Sequence, residues 1–391
     1  MDFRFSPEDE AFRAEVRDFI AQNWSDDLHR RGVEDGFDPD LLEEVKKLRK
    51  KLAARKWIAI AWPKEYGGLG ASHIRQAILK EEMGYGRCPG IDPQAYQVGP
   101  AIIHYGTEEQ KKRHLGGIAR AETVWCQGFS EPDAGSDLAS LKTRAEDKGD
   151  HFLVNGQKIW TSGGHVADWM HLLARTDLNV PKHKGISYFL FSMKTPGIRV
   201  EPIRQMDGGH GFNTVFFDNV RLAKDSLLGQ LNNGWYVAMT TLNYERANIS
   251  GAAEALRNLE ELVRYCKTTM VNGRRLIDNP LVRHRLAESA IELEIGRLLS
   301  YRVLWLQDQG AVPETESSIS KNFTYDAVAR LAVRAVEILG LRSQLNLGEP
   351  QAPLKGLFNW AYLRTGCRAG GGTPEIQRNI IATRGLGLPR S

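Results

Sequence analysis

One carboxylate interrupts an apolar stripe. Across residues 234–270, apolar side chains recur at Ala238, Leu242, Ile249, Ala252, Leu256, Leu259 and Val263, and Glu245 fills the gap in the series. Steps of three and four are helical periodicity, so the spacing predicts one long helix with Glu245 on its packed face. A carboxylate facing a packed interior loses hydration and must be paired, protonated or useful. Desolvation raises its pKa, which suits a general base working near neutral pH. The competing reading is an ion pair with a basic residue of another helix. Arg246 is badly placed for that role, because adjacent helical residues point about 100° apart.

Several other chemistries lack their residues. No GxGxxG follows a strand and no GxxxxGK[ST] loop is present, so neither dinucleotide nor P-loop phosphate binding is supported. Gly128-Phe129-Ser130-Glu131-Pro132 lacks the second glycine of a GxSxG elbow. No HExxH or similar histidine cluster points to a metal. The four cysteines, Cys88, Cys126, Cys266 and Cys367, are scattered, as expected in a reducing compartment. A net charge of +4 over 391 residues, with no long run of like charge, argues against nucleic acid as a partner. No apolar run approaches the length of a membrane span, and the acidic start MDFRFSPEDE shows no secretory signal. A cytoplasmic enzyme without membrane insertion is expected.

The elements that must position Glu245 fall into three segments. Residues 1–121 read as helical: Ser6 caps a helix that begins at Pro7, and further helices are predicted over 41–57, 74–83 and 108–118. Residues 122–232 read as a compact β domain, a barrel or sandwich. Within it, Asn155-Gly156 between Phe152-Leu153-Val154 and Lys158-Ile159-Trp160 predicts a hairpin. Short strands are predicted over 171–174, 186–193, 198–200 and 214–217. Residues 233–391 return to helices over 234–270, 279–309, 317–339, 353–363 and 374–384, which suggest a four-helix-type bundle. The fold class expected is α+β, in the order helical, β, helical.

Three motifs carry a resemblance. Residues 125–137, Trp-Cys-Gln-Gly-Phe-Ser-Glu-Pro-Asp-Ala-Gly-Ser-Asp, resemble the acyl-CoA dehydrogenase signature that packs against flavin. Gly156-Gln157-Lys158-Ile159-Trp160-Thr161-Ser162 resembles the second flavin-contacting strand. Gly371-Gly372-Thr373-Pro374-Glu375-Ile376-Gln377-Arg378 resembles the C-terminal signature of that family. Residues 62–70 and 106–110 are similar to it as well.

The resemblance implies FAD wedged between the β domain and the bundle. Phe129 and Ser130 would face the flavin's pyrimidine side, Trp160 would pack on its rings, and Ser162 would sit near N5. Thr373 and Glu375 would meet the ribityl or diphosphate region. Ser136, Leu242, Arg246 and Gly371 would line the acyl-CoA site. Taken singly, Ser130 and Ser162 read better as strand-end hydroxyls and Trp160 as core; in family order they read as a site. The implied reaction is α,β-desaturation of an acyl-CoA thioester, with electron-transfer flavoprotein as acceptor. An acyl-CoA oxidase and a non-catalytic subunit that holds FAD are the rival readings.

The chain departs from the family pattern twice. Most members carry their base just before the C-terminal Gly-Thr, where this chain has Gly371 within Gly370-Gly371-Gly372. A minority carry it on the long helix, directly before an arginine, where this chain has Glu245-Arg246. The resemblance therefore makes Glu245 the base. The bare glycines leave room for a bulky, branched or cyclic acyl group. Homotetrameric relatives lend a neighbour's FAD an Arg-x-x-Phe-Gly loop and a Gln-x-x-Gly-Gly turn. Here these become Thr269-Met270-Val271-Asn272-Gly273 and Glu337-Ile338-Leu339-Gly340-Leu341. That loss resembles the heteromeric acyl-CoA dehydrogenases of bacterial steroid degradation, and it implies a tetramer completed by a related subunit.

Overall fold

The computed structural model describes residues 5–29, 39–90, 93–243 and 249–389. Glu245 and Arg246 lie outside the described residues. Two units emerge: Lys46–Gly70 with Gly90–Glu245, and Met1–Val45 with Ala71–Pro89 and Arg246–Ser391.

The first unit is built on a sheet. Its strands are β1 Trp125–Gly128, β2 Arg144–Asp147, β3 His151–Ser162, β4 Trp169–Arg175, β5 Ile186–Ser192, β6 Ile198–Ile203, β7 Phe212–Ala223 and β8 Leu227–Leu228. They run in the order β6-β7-β3-β2-β4-β5-β8, with β1 paired in parallel to β4. The path does not close on itself, so the barrel alternative is not realised among the described residues. β4 and β5 are buried along almost their whole length. One face holds Phe152, Val154, Met170, Leu172, Phe189 and Phe217 in a single apolar cluster.

The expected Asn155-Gly156 hairpin is not there. β3 continues straight through it, pairing with β2 on one side and β7 on the other. The register slips between Val154 and Gly156, which marks an irregularity within a strand and not a turn. Asn155 Oδ1 instead accepts from Asn219 N across the ladder at 2.8 Å. Gly156 has φ 143°, and a Cβ there would lie 2.7 Å from Thr143 Cα. The true reversal comes between β2 and β3, at Gly149 with φ 92°. An Asn-Gly pair is a turn signal only when no partner strand claims it.

Helices complete this unit. α4 Pro93–Tyr105, not among the helices predicted from sequence, carries Pro100 within it and is followed by α5 Glu108–Ala119. Thr107 and Gln110 form a reciprocal capping box at the start of α5. His114 of α5 meets Trp125 and Trp169 edge-on, at ring separations of 5.1 and 4.6 Å. α6 is Gly234–Asn243, which includes Leu242.

The second unit is helical. α1 Pro7–Asn23 is capped by Ser6, whose side chain accepts from Asp9 N at 3.1 Å, as anticipated. α2 Pro39–Ala54 begins in this unit, and α3 His73–Tyr85 lies wholly within it. α7 Ile249–Thr268, α8 Pro280–Asp308, α9 Glu314–Leu339, α10 Leu357–Leu363 and α11 Pro374–Ile380 complete it. The single helix expected over 234–270 is therefore described as α6 and α7, with five residues between them outside the description. It also stops short of Met270, which enters a small hairpin, β9 Met270–Val271 with β10 Arg274–Arg275, turning at Asn272-Gly273. Leu259, Leu262, Leu286, Leu293, Leu331 and Phe358 join one bundle core.

Candidate active site

Burial in the sheet unit arranges the first set of candidates. β1 leads directly into Phe129, which is buried, with its ring edge-on to His171 and Tyr188. Ser130 follows and is half-buried. Its carbonyl accepts from Ile159 N at 2.9 Å, while its own N–H makes no hydrogen bond to a described residue.

Glu131 locks this segment in place. Its carboxylate accepts from Lys142 N at 2.6 Å, Thr143 N at 2.8 Å and Lys158 Nζ at 2.8 Å. Lys158 is fully buried, and its Nζ also donates to Phe129 O at 2.9 Å. Burial pulls the Glu131 carboxyl upward, but the Lys158 charge and the hydrogen bonds outweigh it and hold it below its ordinary value. Burial pushes the Lys158 ammonium down to about 8, against the pull of Glu131. The pair ties the 129–131 segment to β3, so the two motifs that resemble the family's share one anchor. Neither residue was assigned a role from sequence. The available signal was Lys158 in phase with Phe152 and Val154 on the inward side of a period-2 strand.

Alternation would bury Trp160 as well, and the structure does the opposite. The register of β3 against β7 slips again between Lys158 and Thr161. Trp160 sits there at φ 61°, a left-handed conformation that costs a bulky residue about 1–3 kcal/mol. Thr161 takes the buried position, and the indole is 56% exposed. It makes an edge contact with Phe212, the rings 6.1 Å apart. Ser162, at the end of β3, is exposed, as is Ser136 beyond the buried Ala134.

On the strands of this sheet, three buried side-chain atoms have no hydrogen-bond partner among the described residues: Gln127 Nε2 on β1, Thr161 Oγ1 on β3 and Asn213 Oδ1 on β7. Unpaired buried polar atoms are rare in folded chains and call for a ligand or water.

The helical unit holds the other candidates. Lys321 of α9 is buried and donates to the carbonyls of Gly370, at 2.7 Å, and Gly372. Gly371 has φ 64°, and a Cβ added there would lie 3.6 Å from Lys321 Cε. Glycine at 371 therefore answers a backbone requirement as well as leaving space. Thr373 caps α11, accepting from Ile376 N at 3.3 Å, with Pro374 in the first helical position. Glu375 is exposed, 3.7 Å from Arg378. Phe129, Ser130, Ser136, Trp160 and Ser162 thus belong to one unit, and Gly371, Thr373 and Glu375 to the other.

Buried histidines give this fold an acid sensitivity. Burial lowers His171 to about 3 and His114 to about 4, and His29 of the helical unit also falls to about 4. Unfolded, each protonates near its ordinary 6.5. Their neutral state contributes stability that is complete above that value and is lost as pH falls from 6.5 toward about 4. Denaturant midpoints measured across that window should fall steadily, and His114→Gln should make the fall shallower.

Comparison with known proteins settles the family. Residues 6–122, 126–220 and 232–386 match the N-terminal, middle and C-terminal domains of acyl-CoA dehydrogenases. Acyl-CoA dehydrogenase IpdE1 of Mycobacterium tuberculosis is 35% identical over 97% of this chain and 98% of its own. The chain belongs to the acyl-CoA dehydrogenase family. Among solved structures, the Tcur3481-Tcur3483 steroid ACAD superposes with a TM-score of 0.91 at 33% identity, covering 100% of both chains. The ChsE4-ChsE5 complex from Mycobacterium tuberculosis gives 0.90 at 31%, again over 100% of both chains. Family membership makes this acyl-CoA dehydrogenase an oxidoreductase with FAD as its cofactor. The residues present fit that group: an exposed, strained indole, a Ser130 N–H without a partner among the described residues, and orphaned polar atoms at Gln127, Thr161 and Asn213 suit a large polar ring system.

Proposed function

We propose that this acyl-CoA dehydrogenase desaturates a bulky, branched or cyclic acyl-CoA at the α,β bond, with Glu245 as base. The observation that carries this reading is the pair of motifs locked together by Glu131 and Lys158, in a chain whose usual base position is Gly371. Bound FAD supplies an acceptor for the β-hydrogen as hydride. The protein's own part is to remove the α-proton and to hold the reacting groups in line. Glu245 accepts that proton. Phe129, Ser130, Trp160 and Ser162 hold the flavin ring, and Thr373 and Glu375 its ribityl or diphosphate region. Ser136, Leu242, Arg246 and Gly371 line the acyl-CoA path. In this reading residues 1–121, 122–232 and 233–391 are the helical, β and helical segments, and electron-transfer flavoprotein is the acceptor.

A related subunit completes the assembly. On α8, Ile291, Ile295, Leu298 and Trp305 are exposed at helical spacing, an apolar stripe that water does not favour. Glu337, where relatives offer a glutamine to a neighbour's FAD, pairs with Arg285 at 2.9 Å within its own chain. These features support a tetramer built with a second, different chain.

The test is anaerobic flavin bleaching with a panel of acyl-CoA thioesters, run on the chain alone and with a co-expressed related subunit. Cyclic or branched thioesters should bleach the flavin faster than straight-chain ones, and full FAD occupancy should require the partner. A homotetramer carrying one FAD per chain and preferring straight-chain substrates would refute both parts. Rapid oxygen consumption without electron-transfer flavoprotein would mark an oxidase instead.

A further inference from the structure

Lys158 and Ser130 are joined through one peptide group. Lys158 Nζ donates to Phe129 O, and the N–H on the other end of that amide is Ser130's. A cation on the carbonyl oxygen draws electron density through the conjugated amide, so the N–H becomes a stronger donor. That N–H has no partner among the described residues, although Ser130 is half-buried. The Lys158 side chain is wholly enclosed, where little water screens its charge. Glu131 balances the charge and fixes the start of β2 through Lys142 N and Thr143 N. The arrangement exceeds what packing alone requires, since a buried ion pair is commonly no more stabilising than apolar residues of similar volume.

We propose that Lys158, held by Glu131, is a positioning residue that sharpens the Ser130 N–H as a donor to the pyrimidine edge of the flavin. This rests on the FAD-binding role proposed for Ser130. The reduced flavin carries more negative charge there than the oxidised one, so a stronger donor binds the reduced form preferentially. The pair thereby raises the flavin's reduction potential and favours acceptance of hydride from the thioester.

Three proteins test this: the wild type, Lys158→Met, and the double variant Glu131→Gln with Lys158→Met. FAD affinity of the apoprotein, midpoint potential and thermal unfolding are measured for each, with the partner subunit present if loading requires it. Lys158→Met should weaken FAD binding roughly ten-fold or more, as loss of a charged hydrogen bond does. It should shift the midpoint potential to more negative values, and unfold early because Glu131 is left alone. The double variant should recover part of the lost stability while keeping the weakened affinity and the negative shift. Recovery of the potential in the double variant, or an unchanged potential in both, would overturn the proposal. A wild-type flavin that no acyl-CoA bleaches would count against the proposed reaction and leave the comparison of potentials intact.

Discussion

Replacing Glu245 by glutamine should lower acyl-CoA turnover by roughly 10²–10⁴-fold, the usual contribution of a positioned general base. FAD content and acyl-CoA binding should stay close to wild type, because glutamine keeps the shape and loses only the proton-accepting charge. Single-turnover bleaching separates the two effects: the rate of flavin reduction should fall while the dissociation constant for substrate holds. In sequence, Glu245 falls in register with Ala238, Ile249, Ala252 and Leu259, and these four, on α6 and α7, are all buried. The position used by most relatives is Gly371, which has no proton-accepting group. Retained turnover in the glutamine variant would move the base elsewhere. Lost turnover with retained FAD would also rule out a subunit that merely holds the cofactor.

The largest effect on stability should come from Arg13→Met. Arg13 on α1 is buried and reaches two carboxylates of α3, Glu81 at 2.7 Å and Glu82 at 2.5 Å. Glu81 also accepts from Tyr301 on α8 and lies 3.5 Å from Arg297, while Glu82 is bound by Arg17 at 2.8 Å. Removing the shared arginine leaves two adjacent buried carboxylates with one partner fewer each. Breaking a buried pair from one side costs about 3–5 kcal/mol, and the remaining arginines place this case near the lower figure. Guanidinium or urea unfolding should show it as a lower midpoint with little change in slope. Arg13→Lys should recover only part of the loss, because an ammonium has no planar fork to span both acids. A shift within about 0.5 kcal/mol would mean that the network is held by Arg17 and Arg297 alone.

Arg13 and Lys158 are different kinds of buried charge. Arg13 and its acids are mutually satisfied, so their chemistry is spent on joining helices. Lys158 and Glu131 are also paired, yet Lys158 donates a second bond to Phe129 O, the carbonyl of the peptide whose Ser130 N–H has no partner among the described residues. Pairing alone does not distinguish a structural charge from a functional one; the next group along the chain of hydrogen bonds does.

Much of this protein could be read from its residues. Local signals were enough for the helix caps at Ser6 and Thr373, which depend on groups within one turn. The helical, β, helical order follows from periodicity, and the motifs around Ser130, Trp160 and Thr373 point to the family without any coordinates. The missing carboxylate at Gly371 is likewise a matter of residue identity. Tertiary structure decided what depends on strands distant in sequence. β7 claims β3 along its length, so Asn155-Gly156 becomes an irregularity inside a strand and not a turn. The same ladder slips at Trp160, turning the indole outward and Thr161 inward, against simple alternation. Lys158 then finds Glu131, and Lys321 finds the glycine carbonyls, across 27 and 49 residues of chain. Periodicity reports which face a residue prefers. Only the pairing of remote strands and helices fixes where a bulge falls and which charge meets which.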